Sequence, residues 1–332
     1  MTPGTRYFAD RPVGHATFEN LDHLLTLEMR PYGLSQGIVP HLYRTARLPN
    51  SEPLTLQAAN QILGRAPTKA AIFTGMVVPG YMPAGETDGP LGAVVLARAL
   101  AALGCHSSIV IEPEIAPTVR KIAEIVGCTS LTVLESDSLS CEHEAREFAS
   151  GFSLGIAIEK LGVNDQGVRH TVGGNAVVTG DQWADICIDE IRRSGGFTIG
   201  IGDNGNEIGF GRIASQIRHI VPYGEVSKSG HGGIIARQSC DLLIPCAVSN
   251  YGGYAITGAL ACLIERPDLC VSADEIEKML RHAIAMGCVN GGIEDDDNFI
   301  GDDGVPLEAA RAYVTLVGTV VRQYFVRVDP HH

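Results

Sequence analysis

The chain has 332 residues, 45% of them apolar, which is enough for one large α/β domain with a sizeable core and too apolar for disorder. Its 38 acidic and 25 basic side chains leave a net charge of −13, and no Lys/Arg cluster is present, which excludes a phosphate-backbone binder and predicts no nucleic-acid partner. No apolar run reaches the roughly 18 residues of a membrane span, and Met1–Arg11 lacks an apolar signal core, so a soluble cytoplasmic protein is expected. Nine cysteines without a Cys-x-x-Cys pair read as small core residues rather than as a zinc site or disulfide framework.

Residues 1–66 read as an N-terminal helical extension packed on the main domain. Leu21, Leu24, Leu25 and Met29 fall at helical spacing, and Leu54–Leu63 forms a second amphipathic pattern. The break at Arg30-Pro31-Tyr32-Gly33-Leu34 separates them. From 67 to 328 the pattern alternates. Strands are expected at Ala70–Thr74, Ser107–Ile111, Leu131–Leu134, Ser153–Ile158, Phe197–Ile201 and Leu242–Val248. Helices are expected at Pro90–Leu103, Ile115–Val126, Glu142–Phe148, Gln182–Arg193, Ala255–Ile264, Asp274–Ala285 and Pro306–Tyr324. Strands alternating with helices predict a three-layer α/β/α fold around a mostly parallel sheet. The apolar N-terminal helices leave room for a homodimer.

Three glycine-rich loops follow apolar strands: Gly85-Glu86-Thr87-Asp88-Gly89-Pro90, Gly202-Asp203-Asn204-Gly205-Asn206-Glu207-Ile208-Gly209 and Ser249-Asn250-Tyr251-Gly252-Gly253-Tyr254. In a parallel sheet all three lie at the carboxyl edge of the strands, where ligands bind. The first loop offers Glu86, Thr87, Asp88 and Gly89, with Asp88 reading equally as a cap on the helix that starts at Pro90. Met76–Pro83 is long and apolar enough to wall a pocket. In the second loop, Asn206 and Glu207 are expected to open a helix, so that Asp203 and Glu207, four apart, point at one position. Such a pair suits Mg²⁺ or Mn²⁺, a substrate ammonium, or acid–base work. The acidic residues and the spacing argue against NAD. In the third loop, Ser249 and Asn250 can bind a carboxylate or form an Asx turn. At a fourth junction, Lys160, Arg169 and His170 offer positive charge, although each taken singly reads as a surface residue. His231, in the loop Ser227–Gly233, reads as idle, and Glu294-Asp295-Asp296-Asp297 as a solvated turn, since the calcium-loop spacing is absent.

The strings Glu86-Thr87-Asp88-Gly89-Pro90-Leu91-Gly92-Ala93, Gly202–Gly211 and Val248-Ser249-Asn250-Tyr251-Gly252-Gly253-Tyr254-Ala255 resemble the D-glutamate cyclase family, in the domain at the C-terminal end of its longer members. The similarity runs from about residue 15 to 325. It departs after Glu159, where Lys160-Leu161-Gly162-Val163-Asn164-Asp165 replaces an Arg and an Ala-Asp-Gly string, and the extra N-terminal domain of the mitochondrial animal members is not expected here. The resemblance implies a carbon–oxygen lyase that closes D-glutamate to 5-oxo-D-proline with loss of water. The expected partner is a small amino-acid substrate. The expected catalytic groups are Asp203, Glu207 and Asp88, with Asp203 and Glu207 as metal ligands. Glu86, Thr87, Gly89, Asn206, Ser249, Asn250 and Lys160 are expected around the substrate. The alternatives are a metal-dependent hydrolase, phosphohydrolases included, and a non-catalytic amino-acid sensor.

Overall fold

A computed structural model describes residues 14–31, 36–48, 51–177, 182–291 and 299–326. The sheet has six strands: β1 (Lys69–Phe73), β2 (His106–Ile111), β3 (Leu131–Glu135), β4 (Leu154–Ile158), β5 (Phe197–Gly202) and β6 (Leu242–Pro245). All pairings are parallel, in the order β3-β2-β1-β4-β5-β6. The chain winds outward in one direction through β1, β2 and β3 and in the other through β4, β5 and β6. The β1–β4 boundary is therefore a switch point with a crevice at its carboxyl edge.

All six expected strands form, because short apolar runs bounded by glycine are local signals and both sheet faces are covered. Strand β6 is shorter than expected. Ala247 N–H leaves the sheet to donate to Leu25 O at 2.8 Å, and Val248 becomes the residue before a helix.

The helices are α1 (His15–Leu25), α2 (Val39–Ala46), α3 (Leu54–Arg65), α4 (Pro90–Ala102), α5 (Ala116–Ile125), α6 (Glu142–Ala149), α7 (Trp183–Arg193), α8 (Ala214–Ile217), α9 (Ser249–Leu263), α10 (Ala273–Ala285) and α11 (Leu307–Tyr324). On one face α6 and α7 cover Ala71, Phe73 and Val110. On the other, α4 and α9 pack together beneath α1, α3 and α11. This thicker layer explains why α9 is apolar all round: Ser249 through Cys262 is buried.

Two sequence expectations need correction. Helix α9 starts at Ser249, six residues before the expected Ala255, because Gly252 and Gly253 serve helix packing and do not break the helix. A Cβ on Gly253 would lie 2.5 Å from Gly92 O, and one on Gly92 would lie 2.8 Å from Asn250 Cα, so α4 and α9 meet backbone to backbone. We expect Gly253→Val to cost about 1–3 kcal/mol or more, read as a lower melting temperature; an unchanged melt would contradict this packing. The second correction concerns the loop after β5. No helix opens at Asn206; the segment is a turn, and only the four-residue α8 follows.

Candidate active site

The crevice at the switch point holds a cavity of about 110 Å³. Its walls come from the loops after β1, β4 and β5, from Arg30 between α1 and α2, and from the hairpin Gly301–Asp302/Val305–Pro306 ahead of α11. Met76, Tyr81 and Met82 form part of the wall, as the apolar run of the first loop suggested.

Helix α9 has no capping side chain of its own, since Val248 precedes it. Asp88, from the far loop, supplies the cap. Its carboxylate accepts from Ser249 N–H at 2.8 Å, Asn250 N–H at 2.7 Å and its neighbour Gly89 N–H at 2.8 Å. Asp88 was expected to be catalytic, with a cap on α4 as the other reading; its carboxylate ties the starts of α4 and α9 together. Asn250 completes the tie: Oδ1 accepts from Gly92 N–H at 2.6 Å, and Nδ2 donates to Thr87 O at 3.0 Å and to Asp302 at 2.8 Å. Gly89 has φ 92°, and a Cβ there would lie 2.5 Å from Thr74 Oγ1, so the glycine is demanded by protein rather than by ligand.

Glu207 is fully buried and folds back on its own loop, accepting from the N–H groups of Asp203, Asn204 and Gly205 at 3.4, 3.0 and 2.8 Å. It still meets Asp203: one oxygen each from Glu159, Asp203 and Glu207 lie within 4.8 Å of one another. The predicted pair thus converges, through a turn instead of a helix face. Asn206 lines the cavity and is held by Nδ2 donating to His170 O at 2.8 Å.

Glu159 takes the left-handed conformation, with φ 44°. For a non-glycine residue this costs about 1–3 kcal/mol and is held only by its surroundings. Here Glu159 N–H donates to Ile201 O at 3.1 Å, and the side chain accepts from Ser249 Oγ. The twist sends Glu159 into the acidic cavity and Lys160 into a neighbouring one. Lys160 Nζ donates to Gly75 O at 2.9 Å and to Glu112, and sits 4.4 Å from the centre of the Trp183 ring. Lys160 is thus placed away from the acidic cavity. Arg169 goes with it and pairs with Asp185 at 3.3 Å, while the His170 ring bonds Ser229 Oγ at 2.9 Å. All three are buried, contrary to the surface reading. His231 is exposed, and the run Glu294–Asp297 lies outside the described residues.

The cation of the acidic cavity is one the sequence reading missed. Arg30 Nη1 donates to Asp203 and, at 2.7 Å, to Asp303. Asp302 and Asp303 were missed too, although Gly301-Asp302-Asp303-Gly304 repeats the glycine-plus-acid pattern of Gly202-Asp203. Arg30 offered no comparable signal.

Among the described residues, five carboxyls and one guanidinium line the cavity, with Glu207 and Asp302 close behind. Burial, and then the neighbouring acids, push Glu86, Asp88 and Glu159 well above the usual carboxyl range. Asp203 is raised too, by burial against the opposing pull of Arg30. Burial likewise pushes Asp302 up to about 8 and Asp303 up to about 6. Near neutral pH such a cluster holds protons on some members and charge on others. It can therefore accept a proton at one point and release one at another, or bind a cation.

Against known proteins, the model of the family described as D-glutamate cyclase-like, C-terminal, matches residues 41–315. The human protein named D-glutamate cyclase, mitochondrial, is 27% identical over 204 residues, which is 55% of this chain and 31% of that protein. The chain thus spans about a third of the relative's length. No helix among the described residues is long and apolar enough to cross a membrane.

Proposed function

This chain belongs to the D-glutamate cyclase-like family, and from that premise we propose that it closes D-glutamate to 5-oxo-D-proline and water. The observation that carries the reading is a cavity in which buried carboxyls of shifted acidity surround one guanidinium. That lining offers carboxylates to a substrate ammonium and one guanidinium to a substrate carboxylate.

In this reading the α-ammonium sits beside Glu86, whose Oε1 has no partner among the described residues. An ionised carboxylate takes its proton, and the free amine attacks the γ-carboxyl carbon. The amine nitrogen loses two protons in all, and the departing carboxyl oxygen gains two as it leaves as water, so the cluster relays protons with no net gain. A carboxyl kept protonated by burial gives a proton to the departing γ-carboxyl oxygen of the substrate, and an ionised neighbour collects the protons from nitrogen. Arg30 Nη2, which has no partner among the described residues, is the donor available to a substrate carboxylate. Asp88, Asn250 and Ser249 hold the loops so that substrate folds into a near-attack shape.

The converging oxygens of Glu159, Asp203 and Glu207 fit a divalent ion. An ion such as Mg²⁺ or Mn²⁺ held there would neutralise the γ-carboxylate. The test is an NMR time course with D-glutamate and, separately, L-glutamate, each with Mn²⁺ or with EDTA. Conversion of the D form is expected, faster with Mn²⁺. Absence of 5-oxoproline in every arm overturns the reading, and equal rates with EDTA remove the metal from it.

A further inference from the structure

We propose that Arg30 is a tethered cation in a position that a divalent ion would otherwise take, and that it thereby limits how many metal ions the acidic cavity admits. Two groups of three carboxylates share Asp203, each with one oxygen per residue inside 4.8 Å of the others. Glu159, Asp203 and Glu207 form one group; Asp88, Asp203 and Asp303 form the other. The second is the one Arg30 bridges, through Nη1 to Asp203 and to Asp303.

An independent observation marks this cavity as short of cations. Glu86 is only 6% exposed, lies on the same wall, and has an Oε1 with no partner among the described residues. A carboxylate oxygen only accepts, so when ionised and buried it needs a donor or a metal.

A guanidinium and a divalent ion cannot share the Asp203–Asp303 end. The ion wants a compact shell of oxygens at about 2.1–2.6 Å, and two positive charges within about 4 Å repel strongly where water is excluded. Arg30 precedes the stretch matched by the family model, on the segment between α1 and α2. This inference is independent of the reaction, because the ions are counted without substrate.

The experiment is a titration of the full metal-stripped chain with MnCl₂, reading free Mn²⁺ by electron paramagnetic resonance. Arg30→Met should bind one more Mn²⁺ per chain than wild type. Arg30→Lys, which keeps the charge, should bind no more than wild type. Adding Asp303→Asn to Arg30→Met should remove the extra ion. Equal counts in wild type and Arg30→Met overturn the proposal. If Arg30→Met unfolds without metal, Mn²⁺ should restore its melting transition. Failure to recover in excess Mn²⁺ also overturns the proposal, because Arg30 would then be a clamp that no ion replaces. A chain that makes no 5-oxoproline would leave the Mn²⁺ count untouched, so the two failures are distinguishable.

Discussion

Asp203→Asn is expected to lower turnover of D-glutamate by roughly 10²–10⁴-fold, the range typical of losing a positioned acid or base, while leaving the fold intact. Asp203 is the residue common to both carboxylate groups and the partner of Arg30. Asparagine keeps its shape and one acceptor oxygen but removes the charge. The structural cost is small because the site is crowded with carboxyls, whose charged forms burial and mutual repulsion disfavour. Removing one negative charge relieves its neighbours, while Arg30 keeps Asp303 as a partner. The discriminating measurement is kcat and KM for D-glutamate beside a thermal melt. A turnover within a few-fold of wild type would remove Asp203 from the chemistry. A large drop in melting temperature would instead make it a structural ion-pair partner.

Asp88→Ala should act in the opposite way, through stability. It strands three buried N–H groups, those of Gly89, Ser249 and Asn250. Each unsatisfied buried group costs about 1–3 kcal/mol. Together they amount to a large fraction of the roughly 5–15 kcal/mol that holds an ordinary domain together. Helix α9 amplifies the effect, because it lies under α1, α3 and α11 and its first turn cannot fray into water. Asp88→Asn should lose less, since one amide oxygen still accepts while its NH₂ faces a donor. Denaturant unfolding of the three proteins should rank wild type above Asp88→Asn above Asp88→Ala. Wild-type stability in Asp88→Ala together with lost turnover would show that the carboxylate acts on substrate and that the capping account is wrong.

The same contrast shows where the sequence could be read and where it could not. Glu86, Asp88, Asp203 and Asn206 do line one cavity, as expected of loops at the carboxyl edge of a parallel sheet. The loop pattern did not distinguish a residue that faces ligand from one that holds backbone. Asp88, Glu207 and Asn250 carry chemistry-bearing side chains, yet each is also held by hydrogen bonds to main chain or to a neighbouring loop. Lys160 was expected around the substrate and is not there: the left-handed turn at Glu159, which the sequence did not reveal, sends the two neighbours to different cavities.

By itself the sequence determined the six strands, their alternation with helices and the edge at which the loops gather. These follow from local apolar runs, glycine and proline stops, and the geometry of parallel connections. Only the tertiary structure decided the electrostatics. Arg30 and Asp303 are 273 positions apart, and Asp88 and Asn250 are 162 apart. Which charge meets which helix end depends on how distant loops settle against one another. No periodicity encodes that, because hydrogen bonds and ion pairs act over a few ångströms and are indifferent to the length of chain between the groups they join.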